Sequence, residues 1–352
     1  MSEEAATVAH IDLALVDECL ERFFAVSSTR AARYGRPPEE LWRVLREASM
    51  GGKRFRPRMV LTAYAGLGGA DAHAAANVGA AYELLHTALV VHDDVIDRDW
   101  SRRGQPNVAG SFRDTGTTGG LPLPTAEHRG MSAAVIAGDL ALAAAPRFID
   151  ASGVTGDRRA RLLELLDEAV FASAAGEMTD VDFALGVMPT VDEVLGMERA
   201  KTSVYSFESP LQSGAVLAGA PEPVVAALGA FGREVGIAYQ IVDDLLGVFG
   251  DEATTGKSVL GDLREGKRTM LIAHAATTDR WPDIAPHLGD PTLSEERAAE
   301  LRATLVTCGA RAAAETRIAE HAALARAELA GLPYDLADRL EGLVTELVER
   351  AR

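Results

Sequence analysis

Residues 82–103 read YELLHTALVVHDDVIDRDWSRR, an apolar run at helical spacing that ends in the carboxylates Asp93, Asp94 and Asp97 and then in two arginines. On a helix Asp93 and Asp97 are four residues apart and share a face, where like charges cost about a few tenths of a kcal/mol in water. A hard divalent cation removes that repulsion. Mg²⁺ takes oxygen ligands, keeps part of its water and bridges one or two carboxylates to phosphate oxygens. Arg102 and Arg103 suit the same ligand, because a guanidinium grips phosphate bidentately and stays charged. The plainer reading is a solvated acidic helix end, with the arginines pairing to Asp97 and Asp99.

Working outward, helical spacing recurs at 41–48, 75–95, 160–174, 223–248 and 298–329, while alternating strand patterns are scarce. With 352 residues, 47% hydrophobic and only 5% aromatic, the composition favours helix and a large core, and predicts an all-α fold in one domain spanning 1–352. The Gly-, Pro- and Thr-rich stretch 108–131 reads as a long, mobile loop. A second polar break, 249–267, holds four glycines and two lysines and reads as a loop over a site.

A net charge of −17 excludes holding nucleic acid or anionic lipid by bulk electrostatics, so any anionic ligand must meet local cations. Cys19 and Cys308 have no metal-type spacing, which fits a reduced, cytoplasmic setting. The acidic N-terminal stretch lacks a secretory pattern, and the apolar run 131–146 is interrupted by Gly138 and Asp139 and reads as too short to span a bilayer. The expectation is a soluble protein with no stable membrane insertion.

A second acidic pair stands in 236–269, GIAYQIVDDLLGVFGDEATTGKSVLGDLREGKRT, where Asp243 and Asp244 end another apolar run. Gln240 lies one turn before Asp244 on the same face. Lys257 and Lys267 follow in Gly-rich surroundings that let an ammonium reach a phosphate. Two acidic helix ends facing one cavity would hold several Mg²⁺ ions around a departing diphosphate. Two further basic clusters are GGKRFRP at 51–57, with Lys53, Arg54 and Arg56 at a turn or helix start, and Lys201-Thr202 in MERAKTSVY. Taken singly, each of these cations reads first as an ordinary surface residue. His92-Asp93 also suits the metal pair of a phosphohydrolase, although the further ligands are not evident.

The ordered series GGKRFRP, LLHTALVVHDDVID, RRG, AGD, KT, YQIVDDLLG, GK and EGKRT resembles the trans-isoprenyl diphosphate synthases, or polyprenyl synthetases, across 51–269. The resemblance implies a helical bundle around a central cavity, commonly a homodimer. It further implies Mg²⁺ on Asp93, Asp97 and Asp243, supported by Asp94 and Asp244. An isopentenyl diphosphate pocket would then be formed by Lys53, Arg56, His86 and Arg103. Contacts to the allylic diphosphate would come from Arg102, Lys201, Thr202, Gln240, Lys257 and Lys267. The implied reaction is ionisation of the allylic diphosphate, attack by the isopentenyl double bond, and proton loss. One departure is Gly247, where many members complete DDxxD; Asp251 offers partial compensation.

The growing chain is expected to run back along the first Asp helix, past Ala88, Leu85 and Tyr82, about 7, 12 and 16 Å from Asp93 at 1.5 Å per residue. Ala88 presents no aromatic block, which disfavours a short product and points to geranylgeranyl diphosphate, with a longer polyprenyl diphosphate next. The alternatives are a class I terpene cyclase, against which the DDLLG stretch argues, and a non-catalytic subunit of a heteromeric synthase.

Overall fold

The computed structural model describes residues 12–250 and 260–351. Its helices are α1 (Ala14–Ala31), α2 (Arg36–Ser49), α3 (Phe55–Gly66), α4 (Ala72–Ile96), α5 (Val108–Thr118), α6 (Leu123–Ala151), α7 (Gly156–Leu185), α8 (Val191–Glu198), α9 (Ser209–Ala218) and α10 (Glu222–Phe249). They continue as α11 (Gly261–Glu265), α12 (Met270–Ala276), α13 (Trp281–Ile284), α14 (Glu295–Thr307), α15 (Ala310–Glu328) and α16 (Tyr334–Arg350). A π-helical segment, Arg199–Glu208, joins α8 to α9. The fold is all-α, as the composition predicts. Among the described residues the one departure is a hairpin of two-residue strands, β1 (Ser101–Arg102) and β2 (Gln105–Pro106).

The contacts sort into two compact units. The first comprises Met1–Asp167 with Pro210–Pro221, and the second comprises Glu168–Ser209 with Glu222–Arg352. In the first, α4 runs through the centre, packed by α1, α3 and α6, with α5 on α6. Its buried positions from Ala74 to Asp94 go all round the helix, the pattern of a core element. Asp71 starts it by accepting a hydrogen bond from the Ala74 N–H at 2.9 Å. In the second unit α10 takes the same place, packed by the π segment and α15, with Phe231, Val242 and Val248 among its buried residues.

Three expectations need correction. The stretch 108–131 is not a loop: only 119–122 interrupt α5 and α6. Its glycines serve close packing, since a Cβ at Gly110 would stand 2.0 Å from the Trp100 carbonyl oxygen and one at Gly130 2.4 Å from that of Ala109. Asn107 caps α5 through the Gly110 N–H at 2.8 Å, and the Arg129 guanidinium covers the Phe112 ring at 4.9 Å. The helical run 298–329 is two helices, broken at Gly309, which adopts φ +87. Finally, α4 and α6 are each long and apolar enough to cross a bilayer, because both helices continue beyond the apolar stretches visible by eye. The most apolar window of α4 is 78% buried, as for a core helix, and that of α6 44%.

Candidate active site

In the first unit α4 delivers the first acidic motif at its C-terminal end. Asp93 is half-buried, Asp94 buried and Asp97 exposed, and the Asp97 N–H donates to the Asp93 carbonyl at 2.8 Å. The hairpin then turns the chain back: Arg103 (φ 54) and Gly104 (φ 72) are both left-handed, as a type I′ turn requires. That turn aims Arg102 at the helix end. Its Nε and Nη2 donate to Asp94 Oδ1 at 2.9 and 2.7 Å, and Nη2 reaches Asp93 Oδ2 at 3.4 Å.

The Arg103 guanidinium lies over Gly52, where a Cβ would stand 3.5 Å from Nη1, so the RRG and GGKRFRP segments meet. Gly51 and Gly52 both take φ of +83 to make that turn. Arg54, though, is no surface cation: it is 4% exposed and paired to Asp17 at 2.6 Å and Glu83 at 2.8 Å. Lys53 is exposed and Arg56 half-buried. Burial, with the charges of Arg56, Arg102, Arg103 and Arg54, pushes the His86 imidazole well below its ordinary range and keeps it neutral. Ala88, Leu85 and Tyr82 are buried along α4, and the Tyr82 hydroxyl shares a 2.8 Å hydrogen bond with Ser213 Oγ.

In the second unit α10 carries Asp243 and Asp244 in its last two turns. Gln240 Nε2 donates to Asp244 Oδ1 at 3.1 Å, and Asp243 pairs with Arg350 of α16 at 3.4 Å. Asp244 is 7% exposed, and the buried carboxyl of Glu198, from the end of α8, stands against it. Burial pushes both acids up, Asp244 to about 7, so the pair holds a proton when no cation is present. Lys201, in the π segment, is clamped by Glu177 at 2.9 Å and Asp180 at 2.7 Å, and Thr202 beside it is half-buried. A π turn inside helical surroundings often marks a working site. Lys267 pairs with Asp262 at 3.3 Å and Glu265 at 3.0 Å, and those charges hold its ammonium strongly protonated. Lys257 and Asp251 lie outside the described residues.

The sequence pattern of the polyprenyl synthetases matches residues 38–323. The chain belongs to the polyprenyl synthetase family. It is similar to the geranylfarnesyl diphosphate synthase of Aeropyrum pernix, 34% identical over 309 residues that cover 86% of this chain and 91% of the relative. The geranylgeranyl diphosphate synthase of Sulfolobus acidocaldarius is 34% identical over 251 residues, 70% of each chain. Among solved structures, the geranylgeranyl pyrophosphate synthase of Corynebacterium glutamicum, complexed with isoprenyl diphosphate and magnesium, superposes with a TM-score of 0.89 at 29% identity, covering 96% of this chain and 98% of that one. This polyprenyl synthetase is therefore a trans-prenyltransferase that elongates prenyl chains, and its family uses a divalent metal.

Asp93, Asp97 and Asp243 offer only carboxylate oxygen, a donor type that fits a hard divalent cation. No group of three or more His, Cys, Asp or Glu among the described residues converges into a cage. Mg²⁺ is ordinarily held by one or two carboxylates, with phosphate and water completing the shell. Three residues escaped the sequence reading, Glu198, Asp262 and Arg350, which arrive from distant segments, and the burial of Arg54 was not signalled by any local pattern.

Proposed function

We propose that this enzyme makes geranylgeranyl diphosphate, adding isopentenyl diphosphate to an allylic diphosphate, and that both acidic motifs serve the reaction. Asp93, Asp97 and Asp243 would hold Mg²⁺, several ions per site, with Asp94 and Asp244 in support. Bound Mg²⁺ would neutralise the allylic diphosphate and favour its departure. Arg102, Lys201, Thr202, Gln240, Lys257 and Lys267 would orient that diphosphate, and Lys53, Arg56, neutral His86 and Arg103 the isopentenyl one. Ionisation leaves an allylic cation; the isopentenyl double bond attacks its C1, and a proton passes from the new adduct to the released diphosphate.

The observation that carries the product assignment is the wall of α4. Ala88 carries only a methyl close to the acidic end, while Tyr82, eleven residues or about three turns before Asp93, falls on the same helix face and is tied to Ser213. Such a floor suits an intermediate chain length. Mg²⁺, isopentenyl diphosphate and each allylic primer, followed by sizing of the product, test the assignment. Ala88→Phe should shift the product to a shorter chain; an unchanged length would place the tunnel elsewhere.

The family match runs through both compact units, which supports treating them as one prenyl synthase domain. Exposed Leu123, Val135 and Ile136 along α6 support a homodimer through that helix. A soluble, cytoplasmic enzyme fits two free cysteines and a buried α4.

A further inference from the structure

The second acidic motif lacks its last carboxylate: position 247, one turn beyond Asp243 on the same face of α10, is glycine. The structure fills that place from another segment. A Cβ added at Gly247 would stand 2.0 Å from Asp262 Oδ2 and 3.1 Å from its Cγ, so the Asp262 carboxylate occupies the volume where a side chain at 247 would begin.

Asp262 is held there at two points. The backbone N–H of Lys267 donates to its carbonyl at 3.0 Å, and the Lys267 ammonium lies 3.3 Å from its carboxylate. Asp243, one turn before Gly247 on the same face, thus shares this stretch of α10 with the Asp262 carboxylate. Asp244 is also 93% buried, being 7% exposed; its Oδ2 accepts from no N–H or hydroxyl among the described residues, and the side chain standing against this acid is another carboxyl, that of Glu198. An oxygen in that condition, beside two further carboxylates, is a place for a cation.

We propose that Asp262 supplies the missing third carboxylate of the second motif, facing the same divalent cation as Asp243 and linking it to Lys267. The proposal rests on the reading of this motif as a metal-diphosphate site. It assigns Gly247 a purpose: any side chain there would expel the acid that replaces it.

The test moves the carboxylate rather than only removing it. Full-length wild type, Asp262→Asn, Asp262→Ala and the double variant Gly247→Asp/Asp262→Ala are titrated with Mn²⁺ by electron paramagnetic resonance. Each is also titrated with inorganic diphosphate by calorimetry, with and without Mg²⁺. Asp262→Asn should weaken metal-dependent diphosphate binding about tenfold or more while the melting temperature holds, the size expected for a group that orients a metal site. The double variant should recover most of the affinity that Asp262→Ala loses.

A carboxylate that merely steers Lys267 would weaken diphosphate equally with and without metal, and that result overturns the proposal. So does a double variant no better than Asp262→Ala. Wild type that binds no metal-dependent diphosphate removes the underlying reading of the site, whereas wild type that binds it alongside an unaltered Asp262→Asn removes this inference alone.

Discussion

Asp94 at the end of α4 accepts two hydrogen bonds from Arg102, at 2.9 and 2.7 Å, whereas Asp244 at the end of α10 receives one amide, at 3.1 Å, and faces the carboxyl of Glu198. The two motifs share a pattern, an acidic pair closing a buried apolar helix, yet their charge is balanced by different means. A guanidinium compensates the first permanently, and it opposes the burial that still raises the Asp94 carboxyl above its ordinary value. The second holds back its charge with a proton, and its nearby lysines are engaged by acids of their own: Lys201 by Glu177 and Asp180, Lys267 by Asp262 and Glu265. The electrostatic debt left for a cation to settle is therefore larger at α10.

The severest way to break this comparison is to remove one acid from each helix end. Asp93→Ala and Asp243→Ala should each lower kcat by about 10³-fold or more, as expected when several kcal/mol of charge stabilisation leave the transition state. Steady-state assays at saturating substrate check it. A variant that keeps more than a tenth of the wild-type rate would show that its motif is dispensable, and the pairing of two equivalent motifs would fall.

A middle-sized effect separates the guanidinium from the proton. Asp244 rises from 3.8 to about 7 in the folded chain, chiefly by burial. Between those values the native state keeps a proton that the unfolded chain has released. The metal-free protein should therefore lose stability as pH climbs through that window, with the raised Glu198 acid adding to the same slope. Melting temperatures in chelator at pH 5, 6, 7 and 8 read the slope. Glu198→Gln keeps a donor for Asp244 but removes the second buried acid, and should flatten the curve. An equally steep slope in that variant would mean that the pH response originates elsewhere in the molecule.

Both acidic ends were legible because they are local: a carboxylate pair at the close of an apolar 3.6-residue pattern depends on neighbours in sequence, as do the RRG turn and the Gly51-Gly52 bend. What balances each pair was legible only in part. Arg102 lies within nine residues of Asp93, so the association could be read, but Glu198, Asp262 and Arg350 reach α10 from 46, 18 and 106 residues away from Asp244 and leave no local trace. The absent acid at Gly247 was the one hint that something else fills the space. Composition misled at 108–131, where glycine permits α5 and α6 to approach carbonyl groups closely instead of loosening the chain. It misled again at Arg54, which sits amid exposed-looking GGKRFRP yet neutralises Glu83 inside the first unit.

The smallest effect concerns how each central helix is braced along its length. The neutral pair Tyr82–Ser213 ties α4 at 2.8 Å inside a fully buried setting, whereas α10 uses the half-buried pair His321–Glu234 at 2.7 Å. Tyr82→Phe deletes one hydroxyl and leaves Ser213 without its partner, which should cost about 1 kcal/mol or somewhat more. Adding Ser213→Ala should return part of that loss, because two apolar groups facing each other strand no polar atom. Denaturant unfolding of the two single variants and the double completes the cycle. The ring itself survives in Tyr82→Phe, so a floor made by ring bulk predicts an unchanged product length. A longer product from Tyr82→Phe would mean that the tether to Ser213, more than the size of the ring, holds the end of the tunnel shut.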